Sequence, residues 1–184
     1  MADFKMAFDI TSNNEGGYTF NPSDTGGETV FGISRKNWPN WAGWKYIDQI
    51  KETAKTPHEI DHAIAISATP IHVLVDSFYR VNFWAPLQLD FVNDQQIANQ
   101  VYDFGVNAGI GRSAKFLQQA AGVNADGKIG PVTIKAVNAG QPETIYNAFQ
   151  DLRKAFYETL AEKLGQHQFL SSWLSRLTPY KNIT

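Results

Sequence analysis

At 184 residues, 43% apolar and 13% aromatic, with a net charge of -2, the chain has the make-up of a globular protein that can bury one sizeable core. The low charge argues against a nucleic-acid-coating surface, and the lack of cysteine excludes disulfides and thiolate chemistry. No stretch reaches the ~18 apolar residues of a membrane span, and the N-terminus MADFKMAFDITSNNEGG, with Asp3 and Asp9, reads as the start of a mature domain and not as a secretory signal.

Phe4, Ala7, Phe8 and Thr11 recur at helical spacing and predict an amphipathic helix over residues 3 to about 14, closed by Asn13-Asn14 and Gly16-Gly17. Glu15 is thereby expected at a helix C-terminus. Residues 16–34 mix turn residues with Tyr18, Phe20, Val30, Phe31 and Ile33, which suits an irregular hairpin. The Trp-rich segment 35–50 is broken by Pro and Gly and carries no clear period. Thr56-Pro57 with Glu59 is a cap, a first-turn proline and a capping-box acid, so a helix begins there. Thr69-Pro70 and Asn93-Asp94 announce two more, the second carrying Ile97, Val101, Phe104 and Ala108. GRSAKFLQQAAG is a further short helix, and the turn DGKIGP leads into another through Pro131. The segment starting at QPETI is a long helix with Ile145, Phe149, Leu152, Phe156 and Leu160 on one face, and a last amphipathic turn or two passes Trp173 and Leu177. The fold class that follows is mainly α, with a small β excursion near the N-terminus and a helical C-terminal half.

Four groups of residues could carry chemistry. A carboxyl such as Glu15, placed at the negative end of a helix and among apolar residues, has its charged form disfavoured, which is what a general acid at neutral pH needs. Asp24 on the facing hairpin could hold or activate a water, with the Thr29 hydroxyl beside it, as in the two-carboxylate arrangement of glycoside hydrolysis. A solvated helix-end Glu and an Asx-turn Asp explain the same spacing equally simply. His58-Glu59-Ile60-Asp61-His62 fits the zinc pattern H-E-x-x-H, with His72 or Asp76 as conceivable third ligands. However, Glu59 already has a role as a capping residue. Trp38, Trp41, Trp44 and Trp84, with Tyr18 and Tyr79, could stack on sugar rings or simply pack. Asp103, Asn107 and Arg112 surround a glycine-rich helix end, where a cap and turn is the plain alternative.

The stretch EGGYTFNPSDTGGETVFGIS, residues 15–34, resembles the opening of glycoside hydrolase family 108, the lysozyme-like muramidases. VDSFYRVNFWAPLQLD is similar to that family's Tyr-Arg-x-x-Trp segment. VYDFGVNAGIGRSAKFLQQAAGVNADGKIGPVTIKAVN resembles the helical peptidoglycan-binding region that accompanies it, and the likeness continues through RKAFYETLA and SSWLSRL. The resemblance implies a lysozyme-like α+β fold, with a catalytic region over 1–92 and a peptidoglycan-binding region over 93–184, packed into one continuous body. It implies hydrolysis of the β-1,4 bond between N-acetylmuramic acid and N-acetylglucosamine, with Glu15 as the catalytic glutamate. Asp24 and Thr29 are secondary catalytic candidates, because one residue fewer separates them than in phage-type lysozymes. Tyr18, Gly27, Tyr79, Asp103 and Asn107 are the substrate-binding candidates, and neither a cofactor nor a metal is expected. The expected partner is the peptidoglycan glycan strand. The biological setting implied is a phage or prophage endolysin or a wall-remodelling enzyme, made in the bacterial cytoplasm, acting on the wall and open to delivery by a holin. The rival readings are a non-catalytic peptidoglycan-binding protein and a zinc peptidase using His58 and His62.

Overall fold

The computed structural model describes residues 1–12, 17–20, 27–66 and 68–182. The chain forms two compact units, Phe8–Asn82 on the one hand and Met1–Ala7 with Phe83–Thr184 on the other. Helix α1 (Phe4–Ser12) begins in the second and ends in the first.

In the Phe8–Asn82 unit, the region expected as an irregular hairpin is a three-stranded antiparallel sheet of β1 (Tyr18–Phe20), β2 (Glu28–Val30) and β3 (Ile33–Ser34) in sequence order. Its register pairs Tyr18 with Val30, Thr19 with Thr29 and Phe20 with Glu28, and then Val30 with Ile33 and Thr29 with Ser34. Because side chains alternate across a strand, Tyr18, Val30 and Ile33 share the buried face, while Thr19, Thr29 and Ser34 form a row of hydroxyls on the other. The segment that the sequence left unassigned supplies α2 (Trp44–Thr53), which buries Trp44 and Ile47. Helix α3 (Pro57–Ile66) starts at the proline as expected. Helix α4 (Ile71–Tyr79) starts one residue later than Thr69-Pro70 suggested, with Pro70 in the cap position and no side-chain cap bond. It runs on as a π-helical turn, Arg80–Trp84. Ile60, Ile64, Ile71, Val75, Phe78 and Tyr79 complete this core.

The other unit is helical. Phe4 at the start of α1 packs edge-on against Trp84 and Tyr102, with ring centres 5.6 and 5.9 Å apart. Helix α5 (Gln95–Ala108) is capped by Asp94, whose Oδ1 accepts the Ile97 N–H at 2.9 Å, as Asn93-Asp94 foretold. It ends at Gly109, whose φ of 93° is open to glycine, and the chain turns there into α6 (Ile110–Ala120). Helices α7 (Pro131–Ala139), α8 (Pro142–Leu164) and α9 (His167–Leu174) follow, the first two with proline in the opening turn. Phe104 is fully buried at the centre of a cluster with Phe116, Phe149, Phe156 and Tyr157. Among the described residues no helix is long and apolar enough to cross a membrane.

Candidate active site

Glu15 and Asp24 lie outside the described residues. Immediately after Glu15-Gly16, the backbone at Gly17 passes beneath the Asp61 carboxylate from α3, so closely that any Cβ at Gly17 would collide with it. Asp61 Oδ1 accepts the N–H of the next residue, Tyr18, at 2.5 Å. The second glycine of E-G-G-Y thus leaves room for an acid supplied by another helix, which the sequence reading assigned only to the zinc-like pattern. Gly27 has φ 64°, a left-handed conformation that glycine adopts without strain, and it leads directly into β2. Thr29 stands half-buried in the middle of the hydroxyl row.

Behind the sheet lies a charged network that sequence reading missed. Glu28 is buried at 9% exposure, yet it meets Arg35 Nε at 2.6 Å and Lys51 Nζ at 2.7 Å and accepts the Tyr18 hydroxyl proton at 2.9 Å. Arg35 also grips Asp48 at 2.6 and 3.1 Å and lies over the Trp44 ring at 4.4 Å. Burial, and then the hydrogen bond to Glu28, push the Tyr18 hydroxyl well above the usual tyrosine range, so it stays protonated. The hydrogen bonds from Arg35 hold the Asp48 carboxyl below its ordinary range. Burial alone would lower the Arg35 pKa, but its bond to Asp48 and the charges of Glu28 and Asp48 raise it instead. This network ties β1, β2 and α2 together.

The remaining candidates divide between the units. Tyr79 is 5% exposed, packs on Phe8 and Phe78, and donates its hydroxyl to the Phe31 carbonyl at 2.7 Å. Of the aromatic set, Trp44 and Trp84 are core, whereas Trp38 is exposed and Trp41 half-buried. In the helical unit, Asp103 is buried between two arginines, with Arg153 at 2.7 Å on one oxygen and Arg176 at 2.8 Å on the other. Arg153 itself is fully buried, bonded also to Gln100 and Tyr157 and stacked over Phe104. Asn107 is exposed and accepts the Tyr157 hydroxyl at 3.1 Å. Arg112 caps its own helix junction through the Ala108 carbonyl and lies over Phe156.

Two motifs prove to be local locks. Glu59 Oε2 accepts the N–H groups of Lys55 at 2.7 Å and Thr56 at 3.0 Å, and Thr56 Oγ1 accepts the Glu59 N–H at 3.3 Å. This is a complete capping box, and those backbone donors hold the Glu59 carboxyl below its ordinary range. Among the described residues no group of three His, Asp or Glu is placed to hold a metal. In the 126–133 turn, Gln118 donates to Asp126 and the Lys128 carbonyl and accepts the Gly127 N–H at 2.8 Å, so Leu-Gln and Asp-Gly-x-Ile-Gly-Pro are halves of one structural unit.

The sequence matches the profile described as Glycosyl hydrolase 108 over residues 8–109, and one described as Predicted Peptidoglycan domain over 112–178. The fold is similar to the structure of SagA from Brucella abortus, with a TM-score of 0.60 at 27% identity, covering 95% of this chain and 92% of that one. No curated protein sequence matches significantly. With its small sheet and mainly helical body, the chain belongs to glycosyl hydrolase family 108, glycoside hydrolases that act on peptidoglycan, and the match to a peptidoglycan domain follows it on the chain.

Proposed function

We propose that the protein is an N-acetylmuramidase, cleaving the β-1,4 bond between N-acetylmuramic acid and N-acetylglucosamine with Glu15 as general acid. The observation that carries this reading is the anchoring at Gly17 and Tyr18. Two residues after Glu15 the chain is pinned to α3 by Asp61, and three residues before it α1 ends. The negative end of a helix disfavours the charged form of a nearby carboxyl, which suits a general acid. Glu15 protonates the glycosidic oxygen as the sugar gains oxocarbenium character, and Asp24 supplies the second carboxylate with Thr29 beside it. A carboxyl separation of about 6.5–9.5 Å would give inversion through a bound water, and about 5–5.5 Å retention through a covalent intermediate, so the anomer of the first product reports which applies. Tyr18, Gly27 and Tyr79 serve substrate binding beside the catalytic residues, and Asp103 and Asn107 serve it in the helical region, which completes wall recognition. The division at residue 92 is functional, with bond cleavage before it and wall binding after it. The protein serves as a phage or prophage endolysin or in wall remodelling, reaching the wall with a helper such as a holin.

Digestion of purified peptidoglycan, with mass spectrometry of the soluble fragments, tests this reading. Muramic acid reducing ends that survive EDTA are expected. New amino termini lost to EDTA would move the chemistry to His58 and His62, and binding without release would leave a wall-binding protein.

A further inference from the structure

Between the 37–42 loop and α4 lies a groove of about 460 Å³ lined by Trp38, Trp41, Phe78, Asn37, Asn40 and Asn82 among others. That volume falls in the roughly 300–1,000 Å³ range of small-molecule sites. Its aromatic walls are fixed in advance. Trp38, 39% exposed, stands edge-on to Phe78 with ring centres 4.9 Å apart, and its carbonyl accepts the Trp44 Nε1–H at 2.7 Å. Trp41 stands edge-on to Trp44 at 5.2 Å and donates its Nε1–H to the Leu74 carbonyl at 3.4 Å. The Trp41 indole covers Gly43 so closely that any Cβ there would strike the ring, so the glycine in NWPNWAG is what lets this tryptophan lie down. Asn82, at the π-helical turn, donates its Nδ2 to the Phe78 carbonyl at 2.8 Å, which orients its amide. Asn37 and Asn40 bring further amide donors and acceptors to the rim.

None of the lining residues carries a charge. Indole faces suit the C–H faces of a pyranose, and amides suit hydroxyl and N-acetyl groups, whereas a charged stem peptide or a polyanion would find no counter-charge. We propose that this groove is a binding subsite for a neutral N-acetylhexosamine of a β-1,4 glycan strand. This rests on the peptidoglycan-hydrolase reading for its biological ligand, and its recognition chemistry stands on Trp38, Trp41 and the three amides. The subsite holds strand and supplies no reacting group; in the proposed reaction that group is Glu15.

The test uses the full chain carrying Glu15→Gln, titrated with the β-1,4 tetramer of N-acetylglucosamine and followed by calorimetry. Adding Trp38→Ala should weaken binding by about tenfold, equivalent to about 1.4 kcal/mol, with Trp38→Phe retaining part of it. Asn40→Ala should weaken binding by about threefold with the thermal unfolding curve unchanged. Unaltered affinity in folded Trp38→Ala, no detectable tetramer binding, or preferential binding of a free stem peptide lost with Trp38 would each overturn the proposal. Wall digestion by the unsubstituted protein is scored separately. Digestion without Trp38-dependent sugar binding removes the subsite and keeps the muramidase. Trp38-dependent binding without digestion does the reverse.

Discussion

In the sheet-bearing unit the buried carboxylate, Glu28, meets Arg35 and Lys51, whose side chains are 31% and 38% exposed. In the helical unit the buried carboxylate, Asp103, meets Arg153, which is fully buried, and Arg176. Both arrangements satisfy a buried acid with two cations, as burial of charge demands. They differ in what surrounds them. The Glu28 network has partly exposed partners and ties β1 and β2 to α2 while staying in contact with water. The Asp103 network is more deeply buried, with Arg153 fully enclosed and stacked on Phe104 and Tyr157, and it joins α5 to α8 and to the segment after α9. The lesson is that an acid in a motif-rich stretch can be there to brace helices. The geometry of its partners tells bracing from chemistry where the motif does not.

The largest effect expected from this contrast is on stability. Arg153→Ala leaves Asp103 buried with half its compensation and should cost about 3–5 kcal/mol in denaturant unfolding. A loss under about 1 kcal/mol would show that the buried pair is not a clamp. Next is the seat of the catalytic turn. Gly17→Ala forces its Cβ into Asp61 and should cost about 1–3 kcal/mol. Much of that penalty should vanish in the Asp61→Ala background, and additive losses in the double-mutant cycle would deny the contact. The smallest effect concerns acid. The folded-state pKa values of Asp48 and Glu59 are both lowered, by hydrogen bonds from Arg35 and from the Lys55 and Thr56 backbone respectively. The unfolded chain therefore binds more protons as pH drops through the ordinary carboxylate range of about 4. Their stabilisation is complete above that range and is lost as pH falls through the depressed folded-state values. Asp48 is about half exposed (54%), so Asp48→Asn should flatten the acid limb of a stability profile by a few tenths of a kcal/mol. An unchanged acid limb would remove Asp48 from the network.

Much of the helical framework was legible because it is punctuated locally. Pro57, Pro131 and Pro142 open helices, Asp94 caps one, and Thr56 with Glu59 closes a capping box, all within a few residues of sequence. The sheet's third strand and α2 were harder to read because two- and three-residue strands carry almost no periodicity and tryptophans fit helix, loop or core alike. The E-G-G-Y stretch could be recognised as a motif, but its physical reason could not, since Asp61 reaches Gly17 from a helix 43 residues from Tyr18. Arg153 was hidden for a related cause: in sequence it is one more charge on a long helix, and only the fold shows that it faces inward.

Turnover of purified peptidoglycan by Glu15→Gln, set against the unsubstituted chain with matching thermal unfolding, tests the central claim most directly. A fall of about 100- to 10,000-fold, the usual worth of a general acid, is the result predicted here. Turnover within about threefold of the unsubstituted chain would contradict the assignment and move the chemistry away from Glu15.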